Sequence, residues 1–230
     1  MNIYLEIIIG FIIADIITGT FHWFEDTYLS YCINIPILSS ISKDNELHHY
    51  FPRSILAYSN MESATYSLPA SIIFILIMYL LYPKFLFKYK YIFISFFIFS
   101  SISNILHKYS HMRDCEKNII LKIIQNTGIL CSHDHHEIHH LNGLEKYCVI
   151  SEYNNYILDN INFWRYLEYI IFIFTGIKPD RKLTYDNYKI IHNYMHYNAK
   201  KKCPDTPSRE DVEILIDKLH KYKMKECLNY

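Results

Sequence analysis

Hydrophobic and polar positions along this chain fall into long blocks. Residues 63–83, "SATYSLPASIIFILIMYLLYP", carry no charged side chain, and neither do residues 91–106, "YIFISFFIFSSISNIL". A third block, 3–24, "IYLEIIIGFIIADIITGTFHWF", holds only Glu6 and Asp15. Each approaches the roughly 20 residues an α-helix needs to cross a hydrocarbon core. A soluble core can bury one such helix; three before residue 107 predict an integral membrane protein. The first block lacks the basic start and small-residue cleavage site of a signal peptide, so it reads as a span. A shorter run, 169–177, "YIIFIFTGI", is too short to cross and predicts a helix lying in the interface or packed on the domain. The remainder is polar. The pattern predicts an all-α integral membrane protein with about three transmembrane helices and a cytosolic, helical, His-rich cap over 1–180. A charged, helical tail follows over 181–230.

Composition narrows this further. The 23 basic and 23 acidic side chains balance, which argues against nucleic acid as a partner. Lys and Arg gather at 178–202 and 218–225, as expected of a solvated tail. Six cysteines, at 32, 115, 131, 148, 203 and 227, form no C-x-x-C pair. They read as reduced thiols facing a reducing compartment.

The unusual feature is histidine, 13 residues in all, five of them in "HDHHEIHH", 133–140. If the three spans cross in turn, His22, His48, His49, His107, His111 and the 133–140 stretch all face one side. Lys108, Arg113, Lys117 and Lys122 flank the third span there, which assigns that side to the cytosol. His107 and His111 stand i, i+4, and His136, His139 and His140 stand i, i+3, i+4, so each set leaves one helical face. Imidazole suits iron, zinc and copper. Eight rings exceed the needs of one ion, so two ions with about four nitrogens each is the natural count. Asp15, Gly19, His22 and Asp26 share a helical stripe. Asp26, one turn after His22, is placed to accept the ring N–H that a metal-bound histidine leaves over. Asp15, deeper in the span, and Asn104, three before His107, are further candidates for supporting a ligand ring. His133 and His135 are left over, with His135 a possible extra ligand. His192 and His196, in the tail, form an isolated i, i+4 pair.

The stretch also spells His136-Glu137-x-x-His140, the H-E-x-x-H of zinc metalloproteases, with Glu137 as general base. That reading uses three residues and leaves five aligned histidines idle.

"ADIITGTFHWFEDT" (14–27), "HHYFP" (48–52), "NILHKYSH" (104–111), "HHEIHH" (135–140), "YCVISEYNNYILDNINFWRYLE" (147–168) and "TGIKP" (175–179) resemble the Kua family of membrane lipid desaturases, from about residue 10 to 180. The resemblance implies a di-iron enzyme that uses O2 to put a double bond into a phospholipid chain. Electrons would come from cytochrome b5 and its reductase or an equivalent, at the endoplasmic reticulum in a eukaryotic host. By position, the iron ligands would be His22, His48, His49, His107, His111, His136, His139 and His140, supported by Asp26 and Asn104. The substrate expected first is a 1-O-alkyl ether lipid of the plasmanylethanolamine type, giving a vinyl ether. An acyl phospholipid is the alternative, as is a metal-binding relative without activity. The chain departs from the family pattern at Tyr58, where a histidine is expected, and at Glu137, where a basic residue is usual. The tail beyond about 181 has no counterpart in it.

Overall fold

The computed structural model describes residues 2–180, 203 and 205–227, and every regular element among them is a helix. Helix α1 spans Ile3–Tyr28, its first turn capped by the Asn2 side chain. It is followed by α2 (Pro36–Tyr50), a 3-10 turn over Pro52–Ala57, and α3 (Asn60–Leu81). Ser59 and Glu62 close a capping box at the start of α3, satisfying amides that the helix cannot pair itself. A short α4 (Pro83–Lys88) turns the chain into α5 (Lys90–Ser101) and α6 (Ser103–Ser110).

Helices α1 and α3 are long and apolar enough to cross a membrane. The pair α5–α6, bent by 49°, makes a third candidate span. The bend falls in Ser100-Ser101-Ile102-Ser103, where the Ser103 hydroxyl donates to the Ser100 carbonyl at 2.9 Å. Serine clusters of this kind kink helices. The three spans therefore sit where the apolar blocks predict them.

Small residues set the packing between spans, because lipid supplies no hydrophobic drive between helices. A Cβ at Gly10 would overlap the Ile92 carbonyl, so α1 and α5 approach to backbone contact. Ser63, Ser67 and Ser71 form the buried stripe of α3, and the Ser67 hydroxyl donates to the Ser101 carbonyl at 2.7 Å. The opposite faces of these helices, with Ile8, Ile72, Ile73, Leu76 and Leu80, are exposed, as lipid-facing surfaces are.

Beyond the spans come α7 (Ile119–Asn126), α8 (His133–Asn142), α9 (Tyr153–Asn160) and α10 (Phe163–Thr175). Ile119, Ile120 and Ile123 of α7 and Tyr166, Tyr169, Ile170 and Ile173 of α10 are exposed, while Trp164 is buried. Trp164 packs with Trp23, Tyr147 and Leu158, so α10 packs on the domain, one of the two placements expected of the 169–177 run, and its exposed apolar face suits a membrane interface.

The tail differs from its expectation. Helix α11 (Arg209–Cys227) is helical, but it is not simply a solvated appendage. Val212 and Leu219 are buried against Leu47, Tyr50 and Phe51 at the end of α2. Cys32 pairs with Cys227 and Cys115 with Cys203. The expectation of six reduced thiols is therefore corrected: only Cys131 and Cys148 are free, both buried. All four paired cysteines lie on the histidine side. Disulfides persist in oxidising compartments, so the pairing also removes the thiol-based support for a cytosolic histidine face. His192 and His196 lie outside the described residues.

Candidate metal centre

Three helix ends and a fourth helix deliver the histidines to one place. His22 lies near the end of α1, His48 and His49 end α2, His107 and His111 end α6, and α8 carries the rest. Histidine is a mediocre helix former, so α8 depends on its ends. Ser132 accepts from the His135 amide, and Gly143 closes the helix in the left-handed region at φ 64.

The structure brings all eight predicted ligands together, in two adjoining groups. His48, His107, His111, His136 and His140 form the first, with ligand atoms within 4.8 Å of one another. Their Nε2 atoms converge: His107 stands 2.8 Å from His136, 3.1 Å from His48 and 3.3 Å from His111. His140 stands 3.1 Å from His136. The second group is His22, His49, His139 and Asp26. Asp26 lies 2.8 Å from His49 Nε2, 3.2 Å from His139 Nε2 and 3.6 Å from His22 Nε2. An even division into four nitrogens each is thus replaced by five imidazoles against three and a carboxylate. Neighbours in sequence part company, with His48 and His49 going to different groups and His139 leaving His136 and His140.

Two observations fit metal ions to these donors. First, His22 Nε2, His139 Nε2 and Asp26 Oδ2 face one another, buried, without a hydrogen bond. Polar atoms so placed are costly unless something binds them. Second, the opposite ring nitrogens of two of the three histidines in the second group are already committed. His22 Nδ1 donates to the Tyr147 carbonyl at 3.0 Å, and His139 Nδ1 to the Glu145 carbonyl at 2.8 Å. Such bonds fix the tautomer and leave Nε2 free to ligate. Burial, reinforced by neighbouring rings, holds His48, His111, His136 and His140 well below the usual histidine value. These rings are neutral near pH 7, the form that binds metal. A nitrogen-rich set suits iron, zinc or copper.

The supporting residues differ from those the spacing suggests. Asp26 stands among the ring nitrogens rather than behind one of them. Asp15 touches no ring: it accepts from the Ile150 amide at 2.9 Å, the Ser151 hydroxyl at 2.7 Å and Asn154 Nδ2 at 2.9 Å. It thereby clamps the 147–151 segment whose first carbonyl holds His22. Gly19 lets that segment reach α1, since a Cβ there would stand 2.7 Å from Cys148 Sγ. Asn104 makes no hydrogen bond to a ring among the described residues. His135 is in neither group. Its Nε2 accepts from Asn155 at 3.1 Å, and burial pushes its pKa down to about 4. Asn155, fully buried, also bonds both backbone groups of Cys148, at 2.9 and 2.8 Å. Tyr147, Glu145 and Asn155 are the residues that spacing missed. Tyr147 and Glu145 act through backbone carbonyls, which leave no side-chain signature.

Glu137 turns outward from the first group. Its carboxylate lies 3.9 Å from Arg113 and 3.8 Å from His133, and about a third of the side chain is exposed. A zinc protease needs that carboxylate beside the metal. The geometry gives His136 and His140 three more imidazoles instead.

The family model described as the lipid desaturase domain matches residues 11–182. A probable fatty acid desaturase of Acanthamoeba polyphaga mimivirus is 34% identical over 78% of this chain and 87% of its own. Plasmanylethanolamine desaturase 1 of Mus musculus is 27% identical over 77% of this chain and 68% of its own. Fatty acid desaturase 4-like 2, chloroplastic, of Arabidopsis thaliana is 26% identical over 78% of this chain and 63% of its own. No solved structure matches. The matched segment ends at the start of the tail and contains every residue of both histidine groups. The chain belongs to the lipid desaturase domain family and is a membrane-bound lipid desaturase.

Proposed function

We propose that the enzyme is a di-iron desaturase acting on a 1-O-alkyl ether phospholipid, converting the alkyl ether to a vinyl ether. The observation that carries the di-iron part is the pair of adjoining nitrogen-rich groups, each large enough to hold one ion. One iron would be held by His48, His107, His111, His136 and His140, the other by His22, His49, His139 and Asp26. Bound iron supplies O2 activation, which no side chain provides.

The reaction removes two hydrogens from neighbouring carbons. With O2, two electrons and two protons, it yields the alkene and two waters. The electrons require a donor on the histidine side, for which a cytochrome b5-like carrier is the proposal. The chain's own contribution is to keep the rings neutral, hold their orientation through the Tyr147 and Glu145 carbonyls, and exclude water by burial. The ether-lipid reading is supported by the relatives from mouse and Myxococcus xanthus that carry the plasmanylethanolamine desaturase name. The mimivirus relative, named a probable fatty acid desaturase, favours an acyl phospholipid as the second reading.

Expression in cells lacking plasmanylethanolamine desaturase, followed by lipid mass spectrometry, separates them. Vinyl-ether phospholipids are the expected product. A new double bond in acyl chains, with vinyl ethers absent, would establish the second reading instead. In a eukaryotic host the expected location is the endoplasmic reticulum.

A further inference from the structure

Helix α11 of the tail lies outside the matched family segment, yet it makes specific contacts with one ligand-bearing helix. Val212, Leu215, Leu219 and Lys223 follow one stripe of α11. Val212 and Leu219 bury Leu47, Tyr50 and Phe51. These flank or adjoin His48 and His49. Lys223, with 2% of its side chain exposed, places Nζ 2.7 Å from Glu46 Oε2 and lies over the Tyr50 ring. The other oxygen of Glu46 accepts from the Tyr31 amide at 2.8 Å. One carboxylate thus ties together the α1–α2 connection, the ligand turn of α2 and the tail. Burial works against the Lys223 charge, but Glu46 outweighs it and holds the ammonium above the usual lysine value.

The described part of the tail, 203 and 205–227, is fastened at both ends. Cys227 joins Cys32 just after α1, and Cys203 joins Cys115 just after His111. Arg209 pairs with Glu62 and stacks over Tyr58. The Thr206 hydroxyl donates to Glu116, which Arg53 also holds at 2.8 Å.

We propose that α11 is a brace for the metal centre, with Lys223 as a positioning residue that acts through Glu46 on His48 and His49. Those two histidines belong to different metal groups, so one displaced helix end would disturb both. A buried ion pair that loses one partner leaves an uncompensated charge, and the helix end must move to resolve it. The proposal rests on the metal reading above, and its test separates the two.

The test measures how fast a ferrous chelator strips iron from the purified full chain. Wild-type protein that binds no metal would sink the metal reading itself. Given a metal-loaded wild type, Lys223→Met should lose iron about ten- to a hundredfold faster, matching the affinity typically lost when the support of a ligand is removed. Lys223→Arg, which keeps the charge, should return the rate close to wild type. A folded Lys223→Met that keeps iron at the wild-type rate overturns the proposal, and so does an Arg variant as leaky as the Met variant. Should Lys223→Met fail to fold, the double variant Cys32→Ser, Cys227→Ser carries the test. It unfastens the same end of α11, and accelerated release is expected; wild-type retention overturns the proposal.

Discussion

The two halves of the candidate metal centre offer different donor chemistry in adjoining groups. The first offers five imidazoles and no carboxylate; the second offers three imidazoles around the buried Asp26. A neutral donor set leaves the full charge of a bound cation uncompensated, whereas Asp26 cancels part of it in a low-dielectric site. The donor sets are asymmetric, so the two positions should respond differently to the same kind of substitution.

The largest expected effects come from removing a ligand. His136→Ala and His22→Ala should each lower lipid conversion more than about a hundredfold, beyond what loss of a supporting residue costs. Normal product from either variant, measured by lipid mass spectrometry, would remove that histidine from the ligand set. Next comes Asp26→Asn, which keeps the shape of the side chain and removes its charge. Metal analysis should show about two irons falling to about one, with the five-imidazole group still occupied. Loss of both irons would show that the halves do not bind independently, and retention of both would place Asp26 outside the ligand set.

The third substitution pair sharpens the position of α8. His139→Ala should abolish conversion by emptying the second group, while Glu137→Gln should keep most of it, because Glu137 faces Arg113 and His133. The reverse pattern would restore the protease-like reading of His136-Glu137-x-x-His140. A smaller effect is expected from Asn155→Ala. It strips the partners of the Cys148 backbone and of His135, at a cost of about 1–3 kcal/mol in stability for buried groups left unpaired. Thermal unfolding should report it, with iron content per folded chain unchanged. The smallest belongs to His220→Ala, which removes the 2.9 Å bond to the Tyr31 hydroxyl. About 1 kcal/mol of stability and no activity should be lost.

Much of this arrangement is legible in the sequence. Apolar blocks locate α1, α3 and α5–α6, because the bilayer imposes a length on them. The i, i+3, i+4 spacing shows that His136, His139 and His140 share a face. Local spacing stops there. It cannot tell that one face meets two different sets of rings, since that depends on where α1, α2 and α6 end in space. Asp26 shows the same limit. One turn from His22 it reads as that ring's helper, but His49 and His139, distant in sequence, converge on the same carboxylate. Asp15 reads as a site residue because a buried carboxylate is costly; its amide and hydroxyl partners lie some 135 positions away. The tail was least legible: its apolar stripe is thin, and cysteine spacing alone does not reveal pairing.

The most direct measurement is the metal content of the purified full chain, by mass spectrometry of the elements, before and after reconstitution with ferrous iron. About two irons per chain are predicted, in keeping with two separate nitrogen-rich groups. Stoichiometric zinc, with no iron taken up and no desaturation regained on adding ferrous iron, would contradict the account.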